Sequence, residues 1–93
     1  MAETNKKLRI HGRVQGVFYR AWSRDEARAL GLSGWVRNRR DGTVEMLLSG
    51  AAEKVAAMIE RCRGGPPAAR VERIDVDETG EEAPAGFETR PTA

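Results

Sequence analysis

The sequence predicts an α+β fold, a ferredoxin-like split β-α-β sandwich. Its order is β-α-β-β-α-β, with an antiparallel sheet, two helices on one face and a short extra strand at the C-terminal end. Three observations carry this expectation. Val55, Met58, Ile59 and Cys62 recur at i, i+3, i+4 and i+7, the spacing of a helix with one buried stripe. Asp41-Gly42 stands between two alternating segments, a strong hairpin signal. Leu8 and Ile10 alternate with Arg9 and His11 and lead through a two-glycine turn into a helix-like run. A strand and a helix thus lie on each side of a hairpin, which short connections and right-handed crossovers assemble into one layered sandwich.

The bounds agree. Ninety-three residues allow one domain with one modest core, and 40% hydrophobic with 32% charged residues is the composition of a globular chain. No apolar run approaches the ~20 residues that cross a bilayer, and Met1 to Asn5 lacks the apolar stretch of a signal peptide, so a cytoplasmic location is expected. The single cysteine, Cys62, excludes an internal disulfide framework and a thiol metal cluster. Charge is uneven along the chain. Residues 1–40 hold ten Lys/Arg against three Asp/Glu, a net of +7, and residues 41–93 hold six against eleven, a net of −5. The basic half suits steering of a small anion, although the two halves could also neutralise one another across a folded surface.

In chain order, residues 1–6 read as a loose polar end, followed by the first strand from Lys7. Residues 19–30 read as a helix, with Phe18, Trp22, Ala29 and Leu30 on one side and Gly31 as its stop. Ser33 to Arg39 is a strand, Arg40-Asp41-Gly42 a turn, and Thr43 to Leu48 a strand with Val44, Met46 and Leu48 on one face. The second helix carries Ala51, Val55, Met58, Ile59 and Cys62 inward, with Glu53, Lys54, Glu60 and Arg61 opposite, and Gly64-Gly65-Pro66-Pro67 ends it. Arg70 to Glu78 is a strand in which Val71 falls out of phase with Ile74 and Val76, so a bulge or a late start is expected. Gly80 to Ala85 is an acidic loop. Phe87 anchors a short last strand before a tail at 91–93.

The turn Gly12-Arg13-Val14-Gln15-Gly16-Val17-Phe18-Tyr19-Arg20 holds the chemistry. A helix start leaves about four N–H groups unpaired and carries roughly half a positive charge, which suits phosphate. Gly12 and Gly16 can take positive φ and turn loop N–H groups toward one point as an anion nest. Arg20 adds a permanent charge with a planar fork of donors. The stretch is neither a P-loop nor a dinucleotide fingerprint, because the Gly-Lys-Ser/Thr ending and the third glycine are missing. On these residues alone it could be a plain connecting turn.

The same nine residues are similar, nearly position for position, to the signature of the acylphosphatase family: glycine, any residue, Val-Gln-Gly-Val, any residue, Phe or Tyr, Arg. Gly34-Trp35-Val36-Arg37-Asn38, with Asp41-Gly42 and Val44-Glu45 behind it, resembles a second block of that family. The resemblance spans roughly Leu8 to Phe87 and implies a free-standing enzyme, a single domain over 1–93. It implies hydrolysis of acyl phosphates to carboxylate and inorganic phosphate. It further implies a phosphate-binding loop of Gln15, Gly16, Val17, Phe18, Tyr19 and Arg20, and an attacking water positioned by Asn38. Arg20 and Asn38 are the expected catalytic residues. No metal and no cofactor are expected. The expected partners are a small acyl phosphate and inorganic phosphate as product and competitive inhibitor, with no nucleic acid and no membrane, and the chain is expected to be a monomer. Phe18 departs from the glycine or other small residue of many members, which bears on substrate preference.

Residue chemistry adds one deduction. The Asn38 amide neither gains nor loses a proton near neutrality, so it can orient water but cannot be its general base. If neither His11 nor a nearby carboxylate takes the proton, the acceptor is the substrate's own phosphate oxygen. His11, the only histidine, falls by alternation on the face opposite Leu8 and Ile10. Cys62 reads as a small packing residue, Trp22 and Trp35 as core or sheet-packing residues, and Arg37, Arg39 and Arg40 as solvated charges. Two other functions compete. One is a non-catalytic phosphate or acyl-phosphate binding module, which has no need of a water-orienting amide. The other is an RNA-binding domain of the same fold, which would stack bases on strand aromatics that the first and third strands lack.

Overall fold

The computed structural model describes residues 3–93 and contains β1 (Glu3–Arg13), α1 (Tyr19–Ala29), β2 (Ser33–Asn38), β3 (Val44–Ala51), α2 (Ala52–Gly64), β4 (Arg70–Glu78) and β5 (Phe87–Thr89). The strands lie in the order β4-β1-β3-β2-β5. Each neighbouring pair among the first four is antiparallel, the arrangement expected of a split β-α-β sandwich. β5 instead runs parallel to β2, so the sheet is mixed and not antiparallel throughout. Chain direction explains this. β4 ends at the end of the sheet where β2 begins, so a segment that crosses to the far edge must start β5 alongside the start of β2. Eight residues, reaching about 26 Å, span the roughly 19 Å between the two edges. Glu81 marks the crossing, with ion-pair contact to Lys7 of β1 at 2.7 Å and a hydrogen bond from the Trp35 indole of β2 at 3.1 Å.

Residues 3–6, expected to be loose, are part of the sheet. β1 begins at Glu3, and Glu3 to Lys6 pair with Leu48 to Ala51 of β3; Met1 and Ala2 lie outside the described residues. Their polar side chains hid this strand, because its stability comes from central position and from polar partners. Ser49 donates to the Asn5 side chain at 2.6 Å. The C-terminal tail is also fixed, through backbone bonds from Ala93 N–H to the Asn38 carbonyl (3.0 Å) and from Arg40 N–H to the Ala93 oxygen (2.9 Å).

Both helices cover one face of the sheet. Leu8, Ile10, Val36, Val44, Met46 and Leu48 meet Val55, Met58 and Cys62 of α2 and Tyr19 and Ala27 of α1 in a single core. α2 follows its apolar period closely. α1 does not bury the stripe expected of it: its inward residues are Tyr19, Ser23 and Ala27, Trp22 is half-buried, and Phe18 and Ala29 are exposed. The polar groups on this face are satisfied at a distance or locally. Tyr19 OH donates to the Cys62 carbonyl at 2.6 Å, and Ser23 Oγ donates to the Tyr19 carbonyl at 2.8 Å.

The opposite face is charged. The buried Glu45 carboxylate is ringed by Arg37 at 2.8 Å, Arg39 at 3.4 Å, Lys7 at 3.7 Å and Arg9 at 3.9 Å, while Arg37 also stacks 4.7 Å from the Trp35 ring. The bulge expected near Val71 is present. Pairing of β1 to β4 steps from His11 with Arg73 to Gly12 with Val71, which leaves Glu72 as the extra residue. Here Gly12 has φ 127°, and a Cβ on it would run into the Arg70 carbonyl. No helix among the described residues is long and apolar enough to cross a membrane.

Candidate active site

The five residues between β1 and α1 divide by direction. Val14 and Val17 are buried and anchor the loop in the core, while Gly16 and Phe18 are exposed. Gly16 (φ 73°) and Phe18 (φ 65°) are both left-handed and flank Val17, which is not. Such alternation turns successive N–H groups to the same side, the geometry of an anion nest. Phe18 is also the N-cap of α1 and offers no side-chain hydrogen bond, and the first turn of α1 holds no acidic residue. α2, by contrast, carries Glu53 in its first turn. Neither the cap nor the first turn of α1 therefore supplies an anion to its positive end.

This end opens into a cleft of about 590 Å³ lined by Val14, Gly16, Phe18, Tyr19, Arg20, Ala21, Arg24, Asn38 and Thr89. The volume lies within the range of small-molecule sites. Arg20 projects from the first turn of α1. Arg9 is paired with Asp41, Arg24 with Asp25, and Arg37 and Arg39 with Glu45, whereas Arg20 has no carboxylate partner among the described residues. Asn38 is the last residue of β2, two beyond the buried Val36, and so continues the helix-facing side of the strand to where α1 begins. Its side-chain amide has no hydrogen-bond partner among the described residues and is half-buried at the cleft wall. An amide so placed can both donate to and accept from a water.

The remaining loop residues have other tasks. Gln15 and Val17 do not line the cleft. The Gln15 amide nitrogen donates to the Arg39 carbonyl at 2.7 Å and the Thr43 carbonyl at 2.8 Å, which ties the loop to the β2–β3 hairpin. Both partners are carbonyl oxygens, so the amide orientation is determined. Tyr19 forms part of the cleft wall with its phenol turned to Cys62, and burial pushes that phenol far above its ordinary pKa, so it stays neutral. His11 lies outside the cleft, on the opposite face of the sheet, with Nε2 2.9 Å from Asp75. Among the described residues, those that line the cleft include neither a carboxylate nor a histidine.

With two cations, an open helix start and a free amide, the cleft suits a phosphorylated ligand. Residues 6–89 match the family model described as Acylphosphatase. The chain belongs to the acylphosphatase family. Among its relatives, the acylphosphatase of Acidovorax sp. (strain JS42) is 56% identical over 91 residues, covering 98% of this chain and 94% of that one. The acylphosphatase of Azorhizobium caulinodans is 60% identical over 86 residues, covering 92% and 91%. In three dimensions the chain is similar to the structure of an acylphosphatase from Coxiella burnetii, with a TM-score of 0.90 at 35% identity, covering 95% of this chain and 93% of that one.

Three cleft residues, Ala21, Arg24 and Thr89, went unnoticed in the sequence. Arg24 stands one helical turn after Arg20, a relation that the 3.6-residue period could have revealed once α1 was assigned. Thr89 comes from the three-residue β5, whose place beside β2 has no local signal.

Proposed function

We propose that the chain hydrolyses acyl phosphates as a free-standing, monomeric, cytoplasmic domain, with the loop and Arg20 holding the phosphate and Asn38 orienting the water. The observation that supports this most is one cleft that combines an unbalanced helix start, an unpaired Arg20 and an unpartnered Asn38 amide. Phosphoryl transfer to water with a carboxylate leaving group passes through a loose, charge-spread transition state, so positioning and electrostatics do most of the work. The N–H groups of the nest and the Arg20 guanidinium supply positive charge to the nonbridging oxygens, and no metal is needed for that task. Water held by Asn38 attacks phosphorus opposite the acyl oxygen. The new P–O bond forms as the bond to the acyl oxygen breaks, and the carboxylate leaves with the electron pair. The water's proton passes to a nonbridging phosphate oxygen, since the lining residues described include no carboxylate or histidine to accept it.

A binding module that retained the pocket without turnover is the less favoured reading, because binding phosphate makes no use of Asn38. The test is hydrolysis of benzoyl phosphate with a chelator present and inorganic phosphate as competitor. Turnover above the spontaneous rate, inhibited competitively by phosphate, is expected. Binding of phosphate without turnover would support the module instead, and activity that depended on added magnesium would overturn the metal-free step.

A further inference from the structure

Phe18 is the most exposed large apolar residue described, at 84%, and it stands at the rim of the cleft. It is also the one non-glycine residue with positive φ among those described, at φ 65° and ψ 25°. A Cβ in that conformation crowds the following carbonyl, and glycine would adopt the same backbone without penalty. The left-handed turn that the nest requires therefore does not account for a benzyl side chain. Core packing does not account for it either, since Val17 and Tyr19 on its two sides are the buried anchors. What the ring can touch is whatever occupies the cleft.

We infer that Phe18 selects the acyl group: its ring is the apolar lip of the cleft and favours acyl phosphates whose acyl part is aromatic or bulky and apolar. This rests on the acyl-phosphate reading of the site. The acyl part is joined to phosphorus through one oxygen, so a phosphate seated in the nest and on Arg20 directs it out through the mouth of the cleft, where the ring lies. Stacking or edge contact with an aryl group would cover part of the exposed ring, and the contact would be made in ground and transition states alike. Such an effect appears in kcat/KM through KM.

The experiment measures kcat/KM for benzoyl phosphate and for acetyl phosphate in the unaltered protein and in Phe18→Gly, Phe18→Asn and Phe18→Leu. Glycine and asparagine both tolerate the left-handed conformation, and leucine retains apolar bulk without the ring. Both substrates present the same phosphate, so any damage to the loop cancels from their ratio. The benzoyl-to-acetyl ratio is expected to fall about three- to tenfold in Phe18→Gly and Phe18→Asn and by less in Phe18→Leu, as an aromatic contact predicts. An unchanged ratio, with both substrates turned over, would overturn the inference alone. Turnover of neither substrate by the unaltered protein would overturn the hydrolase reading, and the inference with it.

Discussion

The side-chain nitrogen of Gln15 donates to the carbonyl of Arg39 at 2.7 Å, one residue beyond Asn38. Its second N–H reaches Thr43 across the hairpin at 2.8 Å. Through these two bonds, the glycine loop and the strand that ends in Asn38 share one rigid support. Neither the loop nor the end of β2 can shift without breaking them.

Replacing Gln15 by Leu should therefore disturb stability and catalysis together. Two lost hydrogen bonds whose carbonyl partners keep other donors cost about 1–2 kcal/mol, or a fall in Tm of roughly 5–15 °C for a domain of this size. Loss of register between loop and amide should lower kcat by about tenfold or more. Thermal unfolding and steady-state kinetics on the same variant check both. A variant with unchanged Tm and kcat would show that the clasp has no such role.

Acid should destabilise the fold within a defined window. Hydrogen bonds from the Thr43 hydroxyl and N–H, then the neighbouring Arg9 and Arg39 charges, hold the Asp41 carboxyl below its ordinary value. His11 and Arg73 do the same for Asp75, and Lys7, with lesser help from Trp35 and Arg90, does so for Glu81. In each case the unfolded chain binds a proton more readily than the folded one. The stability these groups contribute is present above the unfolded values of about 4 and is lost as pH falls through the lower folded values. Tm measured from pH 7 to pH 2 should hold down to about pH 5 and decline below about pH 4, and Asp75→Asn should flatten part of that decline. A Tm that rose on acidification would contradict the assignment.

Cys62 should be inert in the native protein. Burial, with a smaller contribution from Glu26, pushes its thiol up to about 12 against a weaker opposing hydrogen bond from Tyr19. At pH 8 almost no thiolate is present, and the sulfur is enclosed by the core. A thiol-reactive disulfide reagent should modify it only in denaturant. Rapid modification under native conditions would show that α2 opens or that the thiol is not buried.

The parts of this fold legible in the sequence are those in which side-chain period and burial agree. α2 shows its stripe at i, i+3, i+4 and i+7, and β4 spans the expected Arg70 to Glu78 with its bulge beside Val71. α1 departs from its apolar stripe because its inward residues include a tyrosine and a serine, acceptable in a core only through acceptors such as the Cys62 carbonyl that no local pattern displays. The first four residues of β1 were hidden by polar side chains in a strand held by its neighbours. Within the site, turn and charge chemistry marked the glycine loop and Arg20 as an anion nest or a plain connecting turn, and the choice between them, like the role of Asn38, came from the resemblance to the acylphosphatase family, because the approach of β2 to the loop has no local signal. Phe18 fits the apolar stripe of α1 by spacing, but a residue with φ 65° lies outside the helix, and its ring turns to solvent.

The division of labour between Arg20 and Asn38 is the central claim, and one kinetic comparison tests it. Arg20→Gln removes charge from ground and transition states alike, so it should weaken inhibition by inorganic phosphate about 10- to 100-fold and lower turnover as well. Asn38→Ala removes only the hold on water, so with benzoyl phosphate kcat should fall roughly 100-fold or more while phosphate inhibition changes little. Full activity in Asn38→Ala, with activity abolished in His11→Ala, would contradict the account.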